Sequence, residues 1–180
     1  MSLAERAVFK AVVAMNNHRV IGIGNRLPWH IPQDLQHFKA LTLNRVLIMG
    51  HDTYKSIGKA LPGRTTIVLT RDTQLLLPDA LVANGKQHAE ELALECLRYR
   101  GLKEVMVVGG SQIYRLFMDR ISVIHQTIVH SDVQGEFLFP ETPDFKVMSS
   151  KKKITEGKNH HGQHQVFHLC YKTLARKQRS

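Results

Sequence analysis

Short, continuously apolar runs alternate with helix-forming segments along most of the chain, and this alternation limits the folds open to it. The apolar runs lie at 8–15, 45–50, 65–72 and 104–110. Segments with helical spacing lie at 34–41, 51–58, 88–101 and 111–118, and further strands are expected at 123–130 and 166–174. Strands that are apolar throughout are typical of parallel sheets covered by helices. The pattern therefore predicts an α/β fold with a mostly parallel central sheet flanked by about four helices.

Length and composition indicate one domain. The chain has 180 residues, 43% of them hydrophobic, and contains no repeat or long linker, so a single domain over residues 1–180 is expected. No apolar run approaches the roughly 20 residues of a membrane span, and the first residues lack the layout of a signal peptide. Cys96 and Cys170 form neither a disulfide framework nor a metal motif. We therefore expect a cytoplasmic protein with reduced thiols and no membrane partner.

The formal net charge of +10 is concentrated near the C-terminus. Residues 146–180 contain nine Lys and Arg residues but one acid, Glu156. The rest of the chain is nearly balanced, which argues against a basic face for nucleic acid. We expect a frayed tail over about residues 175–180 and an exposed hairpin loop at 149–165. The histidines of that loop lack acidic or cysteine partners, so no metal site is predicted.

Three predicted strands end in residues suited to bind anions. Gly50-His51-Asp52-Thr53 and Gly109-Gly110-Ser111-Gln112 place glycine where a strand turns into a helix, and free N–H groups at a helix start attract negative charge. Thr70-Arg71 adds a hydroxyl group and a permanent cation after a third strand. Each turn alone also fits a tight turn or a helix cap. Together they predict an extended, multiply phosphorylated ligand such as a dinucleotide, although no G-x-G-x-x-G motif is present.

An acid lies on the apolar side of the first predicted helix. In LPWHIPQDLQHF (27–38), Asp34 shares one helix face with Phe38 and Leu41. One interpretation is an ordinary N-terminal helix acid, since Pro32 begins the turn and the helix dipole favours acids there. The other is a buried carboxylate that binds adjacent N–H donors of a ligand. Arg64 likewise fits either a solvated turn or a planar fork that binds a carboxylate.

These segments together resemble the dihydrofolate reductase family. The stretches VIGIGNRLPWHIPQDLQHFK, TLNRVLIMGHDTYKSIGKALPGR, IVLTR and EVMVVGGSQIY follow the family's order and spacing, and GEFLFP matches at 135–140. The resemblance covers about residues 8 to 174. It implies a dihydrofolate reductase-like fold with an antiparallel C-terminal edge strand.

The resemblance also implies an activity. The family carries out NADPH-dependent reduction of 7,8-dihydrofolate to 5,6,7,8-tetrahydrofolate, by hydride transfer to C6 and protonation at N5. Such an enzyme supports one-carbon and thymidylate metabolism, and the resemblance implies a cytoplasmic monomer. The implied partners are dihydrofolate and antifolate-type small molecules, not nucleic acid.

Carried over by position, the resemblance assigns the catalytic residues Asp34, Trp29 and Thr127. Asp34 would bind the ring N–H and 2-amino groups of the pterin, Thr127 would bond to that acid, and Trp29 lies in a mobile loop over the nicotinamide. Arg64 would bind the α-carboxylate of the glutamate tail. The implied substrate contacts are Val12, Val13, Asp34, Leu35, Phe38, Ile57, Leu61, Arg64, Val108, Tyr114 and Thr127. The implied cofactor contacts are Ala14, Ile21, Leu27, Gly50, His51, Asp52, Thr53, Ser56, Leu69, Thr70, Arg71, Val108, Gly109, Gly110, Ser111, Gln112, Ile113 and Tyr114.

The sequence departs from the family pattern at three positions. His51 replaces the Arg or Lys usually found near the cofactor's phosphates, which predicts tighter cofactor binding as the pH falls. Asp52 places an anion beside it. Glu136 stands where the family commonly has Asp, in the loop that stabilises the closed lid. Arg71 remains to favour NADPH over NADH.

Two other functions fit parts of the pattern. The related reductase of riboflavin biosynthesis shares the fold and NADPH but lacks an acid on the pterin-facing helix, so Asp34 with Arg64 argues against it. A nucleic-acid-binding module would interleave basic and aromatic residues on one face, whereas the excess charge here is terminal.

Overall fold

The structure, a computed structural model, describes residues 2–24 and 26–178. Its helices are α1 (Leu3–Arg6), α2 (Pro32–Thr42), α3 (His51–Ile57), α4 (Lys86–Arg100) and α5 (Ser111–Phe117). Its strands are β1 (Val8–Asn16), β2 (Val20–Gly22), β3 (Trp29–His30), β4 (Val46–Gly50), β5 (Thr65–Leu69), β6 (Leu81–Ala83), β7 (Glu104–Val107), β8 (Ile121–Val129), β9 (Phe137–Leu138), β10 (Phe145–Asn159) and β11 (His164–Arg176). Every helix and strand expected from the sequence is present, and α1, β2, β3, β6, β9 and β10 are additional.

One compact unit comprises the residues through Lys10 together with Thr42–Ile121. In it β7, β4, β5 and β6 lie side by side, and all of these pairs are parallel. Every side chain from Val46 to Met49 is 0% exposed, and α3, α4 and α5 contact these strands. The predicted parallel α/β arrangement is confirmed here, because strands buried on both faces need apolar side chains throughout.

A second compact unit comprises Ala11–Leu41 and the residues from Ser122 onward. Its strands follow the order β3, β10, β11, β8, β1, and the pairs from β3 to β8 are antiparallel. Strand β1 has residues in both units, and in the first unit it is the neighbour of β7. A small separate sheet pairs β2 with β9.

The C-terminal strand is antiparallel, as the resemblance implies, but it does not form the edge of its sheet. β11 lies between β8 and β10, and it pairs with β10 from Phe145↔Arg176 to Lys158↔His164. The stretch 149–165, expected to be a loop, is therefore mostly strand, with a turn at 160–163. Apolar periodicity could not reveal β10, because most of its side chains are exposed on both faces and backbone hydrogen bonds define it.

The end of β11 is held by the segment before β10. Lys177 donates its backbone N–H to the Asp144 carbonyl oxygen and its Nζ to the Pro143 carbonyl oxygen, each at 2.8 Å. The fraying expected from about residue 175 therefore does not apply to residues 175–177. Residues 179–180 lie outside the described residues.

Within the described residues, no helix has both the length and the apolar character needed to cross a membrane. Cys96 and Cys170 are both free thiols, and Cys170 is buried.

Gly157 in β10 gives a test of how this strand packs against β3. A Cβ atom at Gly157 would lie 2.7 Å from the His30 carbonyl oxygen and 3.0 Å from Ile31 Cγ1. We expect Gly157→Ala to lower the free energy of unfolding in urea by about 1–3 kcal/mol, because backbone must move to admit the methyl group. Gly85→Ala is the matched control, since a Cβ atom there meets nothing within 4 Å. Equal stability of the two variants would contradict the packing described.

Candidate active site

Asp34 lies in the first turn of α2, in the second unit. Pro32 is the first helical residue, and the Asp34 backbone N–H donates to the Ile31 carbonyl oxygen at 3.0 Å. Proline suits this position because its fixed φ matches the helix and no N–H is needed there. The N-terminal end of the helix dipole favours negative charge, so the backbone supports the ionised form of Asp34.

Thr127 on β8 donates its hydroxyl hydrogen to Asp34 Oδ1, at 2.8 Å. Both side chains are buried, with 8% of Asp34 and 3% of Thr127 exposed. A buried carboxylate costs free energy unless hydrogen bonds to the charged form replace part of its lost hydration. The bond therefore stabilises the carboxylate and also ties the start of α2 to β8.

A buried apolar cluster belongs to the same unit. Its members are Trp29, Ile31, Val129, Phe167 and Leu169. Ala14 and Tyr171 are partly buried and pack against it. The indole Nε1 of Trp29 is buried and has no hydrogen-bond partner among the described residues. A buried N–H of this kind needs water or a ligand atom as its acceptor.

Burial raises the pKa of the Asp34 carboxyl group above its ordinary value of 3.8. The hydrogen bond from Thr127 and the charge of His37 act in the opposite direction and lower this pKa. Desolvation is the largest of the three effects, so the net shift is upward. The protein therefore stabilises the charged form of Asp34 incompletely. A ligand with adjacent N–H donors would supply the hydrogen bonds that the carboxylate lacks.

The other predicted contacts of the second unit differ in exposure. Val12 and Val13 on β1 are buried, at 6% and 5% exposed. Leu27 and Leu35 are exposed, at 49% and 44%, and are accessible to a ligand. The partly buried members of this set are Ala14, Ile21 and Phe38.

Glu136 contacts the loop that precedes Trp29. Its Oε1 accepts the Gly24 backbone N–H at 2.6 Å. A Cβ atom on the neighbouring Gly135 would lie 2.5 Å from the Gly22 carbonyl oxygen, so a larger residue does not fit there. Because Glu136 Oε1 accepts the Gly24 N–H, the longer side chain of Glu relative to Asp does not prevent a hydrogen bond to this loop.

In the first unit, Gly50, the last residue of β4, meets the glycines that follow β7. The Gly50 N–H donates to the Gly109 carbonyl oxygen at 2.9 Å, and the Gly109–Gly110 peptide bond is cis. A Cβ atom on Gly50 would lie 3.0 Å from Ile113 Cγ1. Gly109 has a φ of +121°, which other residues rarely adopt. The turn therefore consists of peptide groups that carry no side chains of their own, and the side chains of Ile113, Tyr114 and Thr53 lie close to them.

The donors at this turn fit a phosphate-containing cofactor. The hydroxyl group of Ser111, the first residue of α5, is buried and has no hydrogen-bond partner among the described residues. Thr53 Oγ1 lies 3.6 Å from the position that a Cβ atom on Gly110 would take. Hydroxyl groups and peptide N–H groups in a glycine-rich turn are the donors that phosphate oxygens need. This donor set is compatible with the pyrophosphate of a dinucleotide.

The remaining residues predicted to contact phosphate lie just after β5 and at the start of α3. Thr70 Oγ1 accepts the backbone N–H of Asp72 at 3.1 Å. Arg71 is exposed. Asp52 forms an ion pair with Lys55 at 3.0 Å, so a cation lies against its carboxylate. His51 is the first residue of α3 and is partly buried.

Arg64 follows a turn and is partly buried. Its Nε donates to the Pro62 carbonyl oxygen at 2.9 Å, and its Nη1 donates to Thr42 Oγ1 at 3.1 Å. These two bonds orient the guanidinium group and do not involve Nη2. Of the other predicted residues in the first unit, the buried ones are Leu69 and Tyr114, the partly buried ones are Leu61, Val108 and Ile113, and the exposed ones are Ser56, Ile57 and Gln112.

Two side chains near Asp34 were not expected from the sequence. The rings of His37 on α2 and Tyr171 on β11 have centroids 4.2 Å apart. The spacing of His37, three residues after Asp34, was a signal that the sequence offered. Tyr171 gave no such signal, because its position depends on the pairing of β11 with β8, where it lies opposite Thr127.

The raised pKa of Asp34 predicts a pH-dependent cost to stability. Because the folded state binds this proton more tightly than the unfolded chain, stability is lost as the pH rises from 3.8 through the folded-state pKa. We expect Asp34→Asn, which keeps an acceptor for Thr127, to have a higher free energy of unfolding than wild type at pH 7. The difference should vanish below the unfolded value of 3.8. Urea unfolding across this pH range measures it, and a destabilised Asn variant at pH 7 would contradict the assignment.

Comparisons with known proteins agree over most of the chain. A sequence model of the family described as dihydrofolate reductase matches residues 8–170. The dihydrofolate reductase of Staphylococcus haemolyticus is 35% identical over 150 residues, which is 82% of this chain and 87% of that protein. The dihydrofolate reductase of Buchnera aphidicola is 34% identical over 165 residues, which is 91% of this chain and 94% of that protein.

A solved structure shows the same similarity in three dimensions. It is the dihydrofolate reductase from Enterococcus faecalis complexed with NADP(H) and RAB-propyl, with a TM-score of 0.80 and 27% sequence identity. The similarity covers 96% of this chain and 98% of that one. From the matched sequence model and these relatives together, the chain belongs to the dihydrofolate reductase family.

Proposed function

We propose that the Asp34 carboxylate is the group that binds the pterin ring in the reaction this chain catalyses. That reaction is the one of its family, the NADPH-dependent reduction of 7,8-dihydrofolate to 5,6,7,8-tetrahydrofolate. The observation that carries the proposal is the burial of Asp34 together with its hydrogen bond from Thr127, at 2.8 Å. An acid that served only as an N-terminal helix residue would need neither burial nor a partner on another element.

The ionised Asp34 carboxylate binds two adjacent donors of the substrate, the ring N–H and the 2-amino group of the pterin. Two parallel charge-assisted hydrogen bonds fix the orientation of the ring. The substrate donors replace hydration that burial removed from the carboxylate. The negative charge also polarises the ring toward protonation at N5, so Asp34 orients and tunes the ring while water delivers the proton.

In the proposed function, residues of the first unit hold the cofactor. When bound, NADPH supplies the hydride for C6 of the pterin. The glycine turn at Gly109-Gly110, Thr53 and Thr70 would donate hydrogen bonds to its phosphate oxygens. Arg71 carries a permanent charge, which favours the 2′-phosphate of NADPH over the hydroxyl group of NADH. The other cofactor contacts implied by the resemblance stay predictions.

Arg64 and the loop before Trp29 complete the proposed substrate contacts. The Arg64 guanidinium group, oriented by its bonds to Pro62 and Thr42, binds the α-carboxylate of the glutamate tail. The loop that ends at Trp29 excludes water from the pterin. The hydrogen bond between Glu136 and the Gly24 backbone stabilises this loop.

We further propose a single-domain, cytoplasmic, monomeric enzyme whose partners are dihydrofolate and antifolate-type small molecules. The distribution of charge supports small-molecule rather than nucleic-acid partners. The lysines of β10 lie on a strand whose one aromatic residue, Phe145, is buried. A single-stranded nucleic acid would need exposed aromatic side chains between the basic ones.

Activity gives the direct test. Mixing the protein with NADPH and dihydrofolate is expected to lower the absorbance near 340 nm. Asp34→Asn should reduce kcat/KM at neutral pH by about 100-fold or more, because the charge that binds and polarises the ring is lost. Asp132→Asn is the control, since Asp132 is an exposed acid of the same unit. Near-normal turnover by a folded Asp34→Asn protein would refute the assigned role.

Cofactor binding tests the departure at position 51. A permanent cation there should strengthen the attraction to phosphate, so His51→Arg should tighten NADPH binding several-fold at neutral pH. Fluorescence titration with NADPH measures this. Tyr99→Arg adds the same charge at a position of the first unit that is 93% exposed, and it should not change the affinity. Equal affinities of wild type and His51→Arg would contradict a contact between position 51 and the cofactor's phosphates.

A further inference from the structure

A second titratable side chain lies beside Asp34. His37 follows Asp34 by three residues on α2, so both project from one side of the helix. The His37 ring contacts the Tyr171 ring, with centroids 4.2 Å apart and planes tilted by 43°. Tyr171 is the cross-strand partner of Thr127, and such partners project from the same face of an antiparallel sheet. These four residues, here called the Asp34 cluster, therefore lie together.

A groove of about 410 Å³ adjoins this cluster. It is lined by Gln33, Gln36, His37, Lys151, Lys153 and Tyr171. Asp34 is not among the lining residues, so His37 and Tyr171 are the members of the cluster that meet solvent in the groove. The Tyr171 ring packs against the imidazole of His37, and its hydroxyl is buried with no hydrogen-bond partner among the described residues.

The charges of His37 and Asp34 are coupled. Burial lowers the pKa of His37, and the charge of Asp34 raises it in part. In return, the charge of His37 lowers the pKa of Asp34. Coupling between two sites is equal in both directions, so each group favours the charged form of the other. Both groups take up protons as the pH falls, and the imidazolium favours the charged form of Asp34. Tyr171 stays neutral over this range, because burial and the Asp34 charge raise its pKa above 10.0.

The other charged groups at the groove come from β10. Lys151 and Lys153 line it, and their like charge opposes protonation of His37. No acid is among the lining residues, so Asp34 is the acid whose charge favours the imidazolium. On β8, the next titratable side chain on the same face is His125, whose Nδ1 lies 3.4 Å from a threonine hydroxyl group of β11.

We propose that His37, held by its contact with Tyr171, is a positioning residue for Asp34 whose imidazolium form keeps the neighbouring carboxylate charged. This inference rests on the proposed role of Asp34 in binding the pterin. Its consequence is that the enzyme binds substrate at lower pH than a buried aspartate without this neighbour would allow. A neutral residue at position 37 loses the effect, and a permanent cation retains it.

The test uses the full chain and the variants His37→Gln, His37→Arg and His164→Gln. The Asp34 carboxyl group is titrated by carbon-13 NMR in protein without ligands, and Asp34→Asn assigns its signal. The pH profile of kcat/KM is then measured on the same proteins. His164→Gln is the matched control, because His164 is exposed, lies on β11 and does not line the groove.

The Asp34 titration midpoint is expected to rise in His37→Gln, to stay at or below the wild-type midpoint in His37→Arg, and to be unchanged in His164→Gln. The kcat/KM of His37→Gln should be about threefold to tenfold lower than wild type near pH 5 and within about twofold near pH 8. A role in packing alone would lower kcat/KM by the same factor at every pH and would give no rescue by Arg.

An unchanged Asp34 midpoint in His37→Gln, or a raised midpoint in His37→Arg, overturns the proposal. If the midpoint is unchanged while Asp34→Asn is inactive, the function of Asp34 stands and only this inference fails. If the midpoint rises but the acid limb of kcat/KM does not move, the charge of Asp34 does not control substrate binding, and both the inference and the assigned role of Asp34 are wrong.

Discussion

The hydrogen bond from the Thr127 hydroxyl to the Asp34 carboxylate, 2.8 Å long, is the interaction on which the proposed chemistry depends. Burial opposes the negative charge, while Thr127 and the positive end of the α2 dipole favour it. The balance leaves the carboxylate incompletely stabilised, so the free protein carries a cost that a ligand with two adjacent donors relieves. Stability is thereby exchanged for binding, which is common where a functional site needs a buried charge.

The first unit offers a different kind of donor to a charged ligand in the proposed function. Its glycine turn, formed by Gly50, Gly109 and Gly110, offers peptide groups and hydroxyl donors instead of an ion pair. Such donors bind phosphate oxygens without the desolvation cost of a buried lysine or arginine. Arg71, which is exposed after β5, adds the permanent positive charge proposed to bind the 2′-phosphate. In the proposed function, the second unit uses a buried anion to bind a ring with N–H donors, and the first unit uses neutral dipoles to bind phosphates.

Much of this arrangement could be predicted from the sequence, and the exceptions have physical causes. β4 and β7 were predictable because buried parallel strands are apolar throughout, and Asp34 stood out because an acid broke an apolar helix face. β10 was missed because its side chains are mostly exposed on both faces, so no periodicity marked it and β11 was wrongly placed at the edge. The contact of His37 with Tyr171 was missed because it depends on strand pairing, which local patterns do not encode.

The most direct test of the central claim is the number of protons released when folate binds. If the buried Asp34 must be ionised to hold the pterin, folate binding in mildly acidic buffer should release protons from wild-type protein. Isothermal titration calorimetry in buffers of different ionisation enthalpy measures that number. We expect proton release that diminishes toward neutral pH and is absent in Asp34→Asn. Tight folate binding with the same proton release in both proteins would contradict it.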